Sequence, residues 1–254
     1  MKILQVTPFY PPMAPGGVGK FADDLVHSLI EQKHKVTVIT SSLGKNEIKK
    51  RDIIFLKSNF KVYNCPISFK LIPSILASDY DVIHVHSGAF FFPDIPSLLK
   101  LFRIIKKPAI LTLHGVIRKY DLIGKNLVRF YYLILGGIIS KGYSKIVVLT
   151  KADKEFLIKR GVKNEKISII ANGIDIIKYN IIKQKNILEK RYKIRNKKLI
   201  LFVGRLNYQK NIMFFLETIN QLLVPKSLTE VPGLKIPSIK TALVVFEPYT
   251  VESL

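Results

Sequence analysis

"LQVTPFYPPMAPGGVGKFADDLVHSLIEQKHKVTVIT", residues 4–40, is the stretch on which the reading of the fold turns. It runs from a short apolar segment through a loop of prolines and glycines into a helical pattern, and ends in a second apolar segment. Within the helical part Val18, Phe21, Ala22, Leu25, Val26, Leu29 and Ile30 are spaced 3, 1, 3, 1, 3, 1, which places them on one face of a helix. Strand, crossover helix, strand is the unit of a parallel sheet.

Working outward, similar runs recur at "DIIFL" (52–56), "DVIHVHS" (81–87), "PAILTLHG" (108–115), "KIVVLT" (145–150) and "KISIIAN" (166–172), rich in Ile and Val and bounded by polar or turn residues. Such near-continuous apolar runs suit strands buried on both faces. The fold class expected is therefore α/β, a doubly wound, Rossmann-like parallel sheet. Thr150 with Asp153 predicts a capped start for the helix "KADKEFLIKR" (151–160), and Gly161 predicts its stop.

The polar, lysine-rich segment "IIKQKNILEKRYKIRNKK" (181–198) precedes a new apolar run, "LILFVGRL". A first domain over 1–180, a linker at 181–197 and a second domain over 198–254 follow from it. In the second, Ile212, Phe215, Leu216 and Ile219 share a helical face, and clear pattern runs out near Leu223, leaving "TALVVF" as the one further strand candidate. One strand and helix with so little beyond them do not enclose a core, so this domain is expected to be incomplete.

Composition narrows the partners. Lys and Arg number 41 against 18 Asp and Glu, a net +23, which attracts nucleotides, acidic headgroups or nucleic acid. The lysines are scattered rather than blocked, so a compositional bias explains them as well, and nucleic-acid binding would rest on charge alone. Cys65 is the single cysteine, which excludes an internal disulfide and fits a buried, inert thiol in a reducing compartment. No secretory leader is read before the opening prolines, and the apolar stretch at 130–140 is about half of the roughly 20 residues a spanning helix needs. The expected location is cytoplasmic. A basic helix at 97–107, with Lys100, Arg103, Lys106 and Lys107, is the candidate for peripheral contact with an anionic membrane, the alternative being a helix packed on the sheet with solvated lysines.

The glycine loop admits three phosphate-binding templates. A P-loop fails at Ala14 and Phe21, where it needs Gly and Ser or Thr. Gly17, Gly19 and Ala22 satisfy G-x-G-x-x-A, yet nine residues separate Thr7 from Gly17, and Thr40, Ser41 and Ser42 stand where a dinucleotide fold has an acid. What remains is a proline-stiffened loop that delivers Gly16 and Gly17 to a helix amino end, a geometry suited to a diphosphate or merely to a turn.

Five motifs in order then resemble retaining glycosyltransferases of the GT-B superfold, family four, which includes phosphatidylinositol mannosyltransferases and sucrose synthases. Beyond the opening stretch they are "DVIHVHS", "LTLHG", "VVLTKADKEFLIKRGV", "IIANGIDIIKY" and "LFVGRLNYQKN". The resemblance covers residues 1 to about 223. It implies two Rossmann-like domains, a nucleoside diphosphate sugar donor, a glycan or lipid-linked acceptor, retention of configuration, and no cofactor or bound metal. Gly16 and Gly17 would offer backbone N–H groups to the donor diphosphate, and Arg205 and Lys210 its cations, Arg gripping two oxygens and Lys acting as a point charge. His114, at a strand end, would lie by the transferred sugar as the catalytic candidate.

His86, Asn172 and Gly173 would line the cleft, with Asp175 holding the turn and Asp94 and Asp121 as lesser candidates for acceptor hydroxyls. His84, His86 and His114 could form a three-histidine zinc site, although H-x-H is native to the resembled family without metal. The sequence departs from the family in its second domain: no two glutamates lie eight apart, and the expected glycine-rich turn and bracing final helix are missing. A truncated enzyme is the reading that follows, and the alternative is a non-catalytic subunit that binds a glycan or anionic lipid while a partner chain supplies the donor half.

Overall fold

The computed structural model describes residues 1–14, 16–43, 48–50, 52–62, 65–87, 90–115, 126, 129–131, 136–174, 176, 201–202, 211–223 and 243–244. Two compact units divide the chain, Met1–Ile174 and Asp175–Leu254. The linker expected at 181–197 lies outside the described residues.

The first unit alternates strands and helices: β1 (Lys2–Val6), α1 (Gly17–Glu31), β2 (Lys35–Ser41), β3 (Ile48–Lys50), β4 (Ile53–Leu56), β5 (Phe60–Val62), β6 (Cys65–Ile67), α2 (Leu71–Leu76), β7 (Val82–Ser87), α3 (Asp94–Leu101), β8 (Ala109–Leu113), α4 (Gly136–Lys141), β9 (Lys145–Val148), α5 (Lys151–Ile158) and β10 (Ile167–Ile169). One eight-stranded sheet runs β10-β9-β8-β7-β1-β2-β4-β3. Every neighbouring pair is parallel except β3 with β4. The seven apolar runs of the sequence are the seven parallel strands. Strand order reverses between β1 and β7, and in open α/β sheets that reversal opens a crevice at the carboxyl ends of the strands.

The opening stretch folds as its pattern dictates. β1 pairs with β2 from Lys2↔Lys35 to Val6↔Ile39, and α1 covers them with Ala22 and Val26 buried. Ile30, on the edge of the expected apolar stripe, is 51% exposed, while its neighbour Leu29 packs against the core.

Three helices end alike. After α1, Lys33 takes a left-handed conformation while His34 N–H donates to Leu29 O (3.0 Å) and Lys33 N–H to Ile30 O (2.9 Å). After α3, Arg103 does the same, with Ile104 N–H on Leu99 O and Arg103 N–H on Lys100 O. After α5, Gly161 does so as expected, with Val162 N–H on Leu157 O. These crossed bonds satisfy carbonyls that the helix leaves open. The helix expected at 97–107 therefore stops at Leu101, and Lys100 Nζ donates to Lys106 O (2.5 Å) and Lys107 O (2.9 Å) instead of facing outward with Arg103.

The cap of α5 is the one the sequence predicts: Asp153 N–H donates to Thr150 Oγ1 (3.1 Å), and the Thr150 hydroxyl donates to the Asp153 carboxylate (2.7 Å). The antiparallel β5–β6 hairpin and the strand β3 are not foreseen, since three-residue strands carry too little periodicity to be seen. Cys65, in β6, is buried and forms no disulfide.

Core packing differs on the two faces of the sheet. One face is continuous and apolar, with Leu4, Val6, Ile39, Leu56, Ile83, Val85, Leu111, Ile146 and Val148 packed against residues from α2, α3, α4 and α5 such as Leu71, Leu99, Ile139 and Leu157. The other, under α1, is a smaller cluster of Ile3, Tyr10, Ala22, Val26, Val36, Val38 and Phe55.

In the second unit, β11 (Leu201–Phe202) pairs in parallel with β12 (Leu243–Val244), and α6 (Ile212–Leu223) lays Phe215 on Phe202, ring centroids 4.9 Å apart. Ile219 is buried, and Leu216, expected on the same face, is exposed. Among the described helices none is long and apolar enough to cross a membrane.

Candidate active site

Side chains alternate along a strand, so Gln5 shares its face with Ile3, and His84 and His86 share theirs with Val82. Ile3 and Val82 belong to the cluster beneath α1. Towards the carboxyl ends this same face turns polar: Gln5, Thr7, Thr40, His86 and Thr112 are all buried there. Gln5 pairs in register with His84, and His86 with Thr112.

These groups form one hydrogen-bonded chain. Gln5 Oε1 lies 2.6 Å from His86 Nε2, and Gln5 Nε2 lies 3.4 Å from His84 Nδ1. His84 Nε2 is 2.8 Å from Thr112 Oγ1, and His86 Nδ1 is 3.1 Å from His114 Nε2. The rings also touch, His84 tilted on His86 at 4.5 Å and His86 stacked on His114 at 5.4 Å between centroids. Burial removes water from the charged form of an imidazole, and among the described residues no carboxylate offsets it. Burial, reinforced by neighbouring His114, holds His84 at about 4 against an ordinary 6.5. His114 is likewise held at about 4 by burial, and His86 is pushed well below its ordinary value by burial and by the other two histidines. The three rings are neutral at pH 7.

His114 follows β8 at the carboxyl edge, beside the strand-order reversal. Its Nδ1 makes no hydrogen bond among the described residues. Phe21 of α1 packs edge-on against it, centroids 5.0 Å apart, and against His86 at 5.9 Å. Phe21 stands one helical turn after Gly17, so the same contact brings the amino end of α1 to the histidines.

At that end Gly16 is the N-cap, with φ 151°, a conformation side chains disfavour. A Cβ at Gly16 or Gly17 would meet nothing within 4 Å, so the surface before the helix is open. No side chain caps the helix and no acid sits in its first turn. The partial positive charge of the helix end is therefore not met by its own sequence. Lys20, also in that turn, is paired with Asp24.

The loop before the helix is held from beneath. Buried Tyr10 donates to Asp23 Oδ1 (2.9 Å), Ala14 N–H donates to Tyr10 O (3.1 Å), and the Thr7 hydroxyl donates to Phe9 O (3.0 Å). Burial, with Asp23 adding to it, pushes the Tyr10 phenol up. Gly19 permits the loop to lie close, since a Cβ there would come within 3.1 Å of Ala14 O and 3.2 Å of Phe9 O.

The remaining candidates fall elsewhere. Asn172 and Gly173 are exposed in the segment after β10. Asp94 starts α3 and is already engaged, by the Tyr131 hydroxyl (2.5 Å) and Phe91 N–H (2.9 Å); burial pushes its carboxyl up. Arg205, Lys210, Asp121 and Asp175 lie outside the described residues. Among the described residues no group of three His, Cys, Asp or Glu side chains is arranged to hold a metal ion; both ring nitrogens of His84 and of His86 are already engaged by Gln5, Thr112 and His114. Sequence reading missed Gln5, Thr112 and Phe21; the signal for Gln5 was a polar residue inside the buried run "KILQV".

A parallel sheet with its order reversal, an open glycine-bearing helix end and a strand-end histidine beside it define the first domain of a GT-B glycosyltransferase. The glycosyltransferase family 4 model matches residues 15–178, and the chain belongs to that family. It is 25% identical over 85% of its length to an uncharacterized glycosyltransferase of Methanocaldococcus jannaschii, covering 58% of that protein. It is also 30% identical over 61% of its length to the Escherichia coli UDP-Gal:alpha-D-GlcNAc-diphosphoundecaprenol alpha-1,3-galactosyltransferase, covering 40% of it. Among solved structures, the Anabaena protein HepE in complex with UDP-glucose superposes with a TM-score of 0.65 at 14% identity, over 97% of this chain and 60% of that one. The chain thus spans well under two thirds of the length of these relatives.

Proposed function

We propose that this chain takes part in glycosyl transfer with retention of configuration, moving a hexose from a nucleoside diphosphate sugar to a glycan or lipid-linked acceptor. The observation that carries the reading is the junction at the β1/β7 reversal, where Phe21 joins the open end of α1 to His114. The UDP-glucose bound by the Anabaena protein and the lipid-linked acceptor named for the Escherichia coli enzyme support the two substrate classes. In the transfer the bond from the sugar's anomeric carbon to the diphosphate breaks and a bond to an acceptor hydroxyl forms. The hydroxyl proton leaves with the departing diphosphate. Fixed donors must stabilise that leaving charge. Amides at Gly16 and Gly17 supply part of them, Arg205 and Lys210 the rest, and His114 hydrogen-bonds a sugar hydroxyl.

Incubation with a panel of UDP- and GDP-sugars, with and without acceptor, tests this. Nucleoside diphosphate is released from at least one donor, and Arg205→Ala slows release by about tenfold or more, the loss of one charge-assisted contact. Release from no donor defeats the catalytic reading for this chain.

A second reading has its own observation, the absence of any glutamate pair eight residues apart in this sequence. It makes the first unit a glycan- or anionic-lipid-binding subunit completed by another chain. Release that appears only on mixing with a partner bearing a full donor domain distinguishes it.

A further inference from the structure

The buried chain of hydrogen bonds has a direction, and one residue sets it. Gln5 touches two imidazoles at once, with Oε1 2.6 Å from His86 Nε2 and Nε2 3.4 Å from His84 Nδ1. A separation of 2.6 Å lies just below the usual range of about 2.7–3.2 Å for an N–H···O bond and is shorter still for nitrogen against nitrogen, so of the two amide orientations it favours the oxygen facing His86. His86 therefore donates from Nε2–H to Gln5, and the Gln5 amide donates to His84 Nδ1. All three rings are neutral, so each has one donor nitrogen and one acceptor nitrogen. His84, accepting at Nδ1, donates from Nε2–H to Thr112 Oγ1 (2.8 Å). His86, donating at Nε2, accepts at Nδ1 from His114 Nε2–H (3.1 Å). Turning the Gln5 amide over reverses every donor and acceptor, and His114 would then carry its proton on Nδ1.

We propose that Gln5, acting through His86, is a positioning residue that fixes the tautomer of His114, keeping the proton on Nε2 and presenting the Nδ1 lone pair to a donor-sugar hydroxyl. The assignment rests on the reading of His114 as the group beside the transferred sugar. It adds a cause for a specific hydrogen-bond polarity: His114 accepts from the sugar and does not donate to it. A neutral residue suits this task in a dry site, because a carboxylate at position 5 would draw a proton onto the rings and blur the tautomer. Phe21, edge-on to both His86 and His114, restricts the rotation that would exchange their nitrogens.

Two-bond 1H–15N correlation spectra of the full chain with 15N-labelled histidine, recorded at pH 7 without any sugar, test the tautomer directly. His84, His86 and His114 are each expected as a single Nε2–H form, assigned by single His→Gln variants. Gln5→Met keeps the side chain's bulk and removes both hydrogen bonds; His114 is then expected to populate both tautomers. With UDP-glucose or UDP-galactose, if either is turned over, Gln5→Met lowers kcat about tenfold and leaves the donor KM within a factor of two, the effect of one hydrogen bond made in the transition state. A wild-type His114 protonated on Nδ1 overturns the proposal, as does a Gln5→Met protein whose His114 stays purely Nε2–H. Should Gln5→Met fail to fold, the wild-type spectrum alone decides. Absence of donor turnover counts against the glycosyl-transfer reading and leaves the tautomer result standing.

Discussion

The two faces of the central strands are made by alternate residues of the same short runs, yet they are built to different rules. Leu4 and Val6, or Ile83 and Val85, point into one face, which is apolar from end to end. Gln5, His84 and His86, their immediate neighbours in sequence, point into the other, apolar at the amino end and polar at the carboxyl end. Buried polar groups cost free energy unless each is hydrogen-bonded. A fold gains nothing in stability from such a cluster that apolar packing would not supply. Its confinement to the carboxyl end of one face is therefore not explained by packing alone.

The largest expected effect that sharpens this contrast is on the apolar face. Ile83→Ala, at a fully buried site, should lower stability by about 3–4 kcal/mol in urea titration at pH 7, the cost of lost burial plus a cavity. A cost below about 1 kcal/mol would mean that the face collapses around the gap and is not specifically packed.

Next comes an acid effect belonging to the polar face. His84 has a folded-state value of about 4 against 6.5, so between those pH values the unfolded chain binds more protons. Its contribution is present above about pH 6.5 and lost as pH falls towards 4, amounting to about 3 kcal/mol by linkage. Urea midpoints from pH 7 to 4 should fall less steeply in His84→Gln than in the wild type. Parallel profiles would show that the histidine cluster is reached by water.

The smallest effect has the opposite sign. Thr40 Oγ1 is buried without a hydrogen-bond partner among the described residues. Thr40→Val, nearly equal in shape, should raise stability by about 1 kcal/mol in the same titration, because it removes an unsatisfied polar atom. Destabilisation would place an ordered partner on that hydroxyl and extend the bonded cluster to β2.

Much of this was legible in the chain itself. The seven parallel strands, the start of α5 at Thr150 and its stop at Gly161 each carry a local signal: an apolar run, a capping pair or a glycine. The stops at Lys33 and Arg103 carry none, since a left-handed lysine or arginine is held there by the crossed hydrogen bonds of the finished helix end. For the site, His86, His114, Gly16 and Gly17 could be singled out from motif and position. Gln5 left only the trace of a polar residue inside a buried run, and Thr112 and Phe21 left none, because the partners of the three lie 81, 28 and 93 positions away, respectively His86, His84 and His114.

Amino-acid order by itself determined the α/β class, the succession of strands, the glycine-bearing start of α1 and the family, because each depends on short-range spacing or on motifs in sequence. Only the tertiary structure decided that β1 lies between β2 and β7, that Gln5 stands between His84 and His86, and that the Phe21 ring from α1 packs edge-on against His86 and His114. Those facts depend on register and on which face each residue meets, and both are settled by packing between segments far apart along the chain.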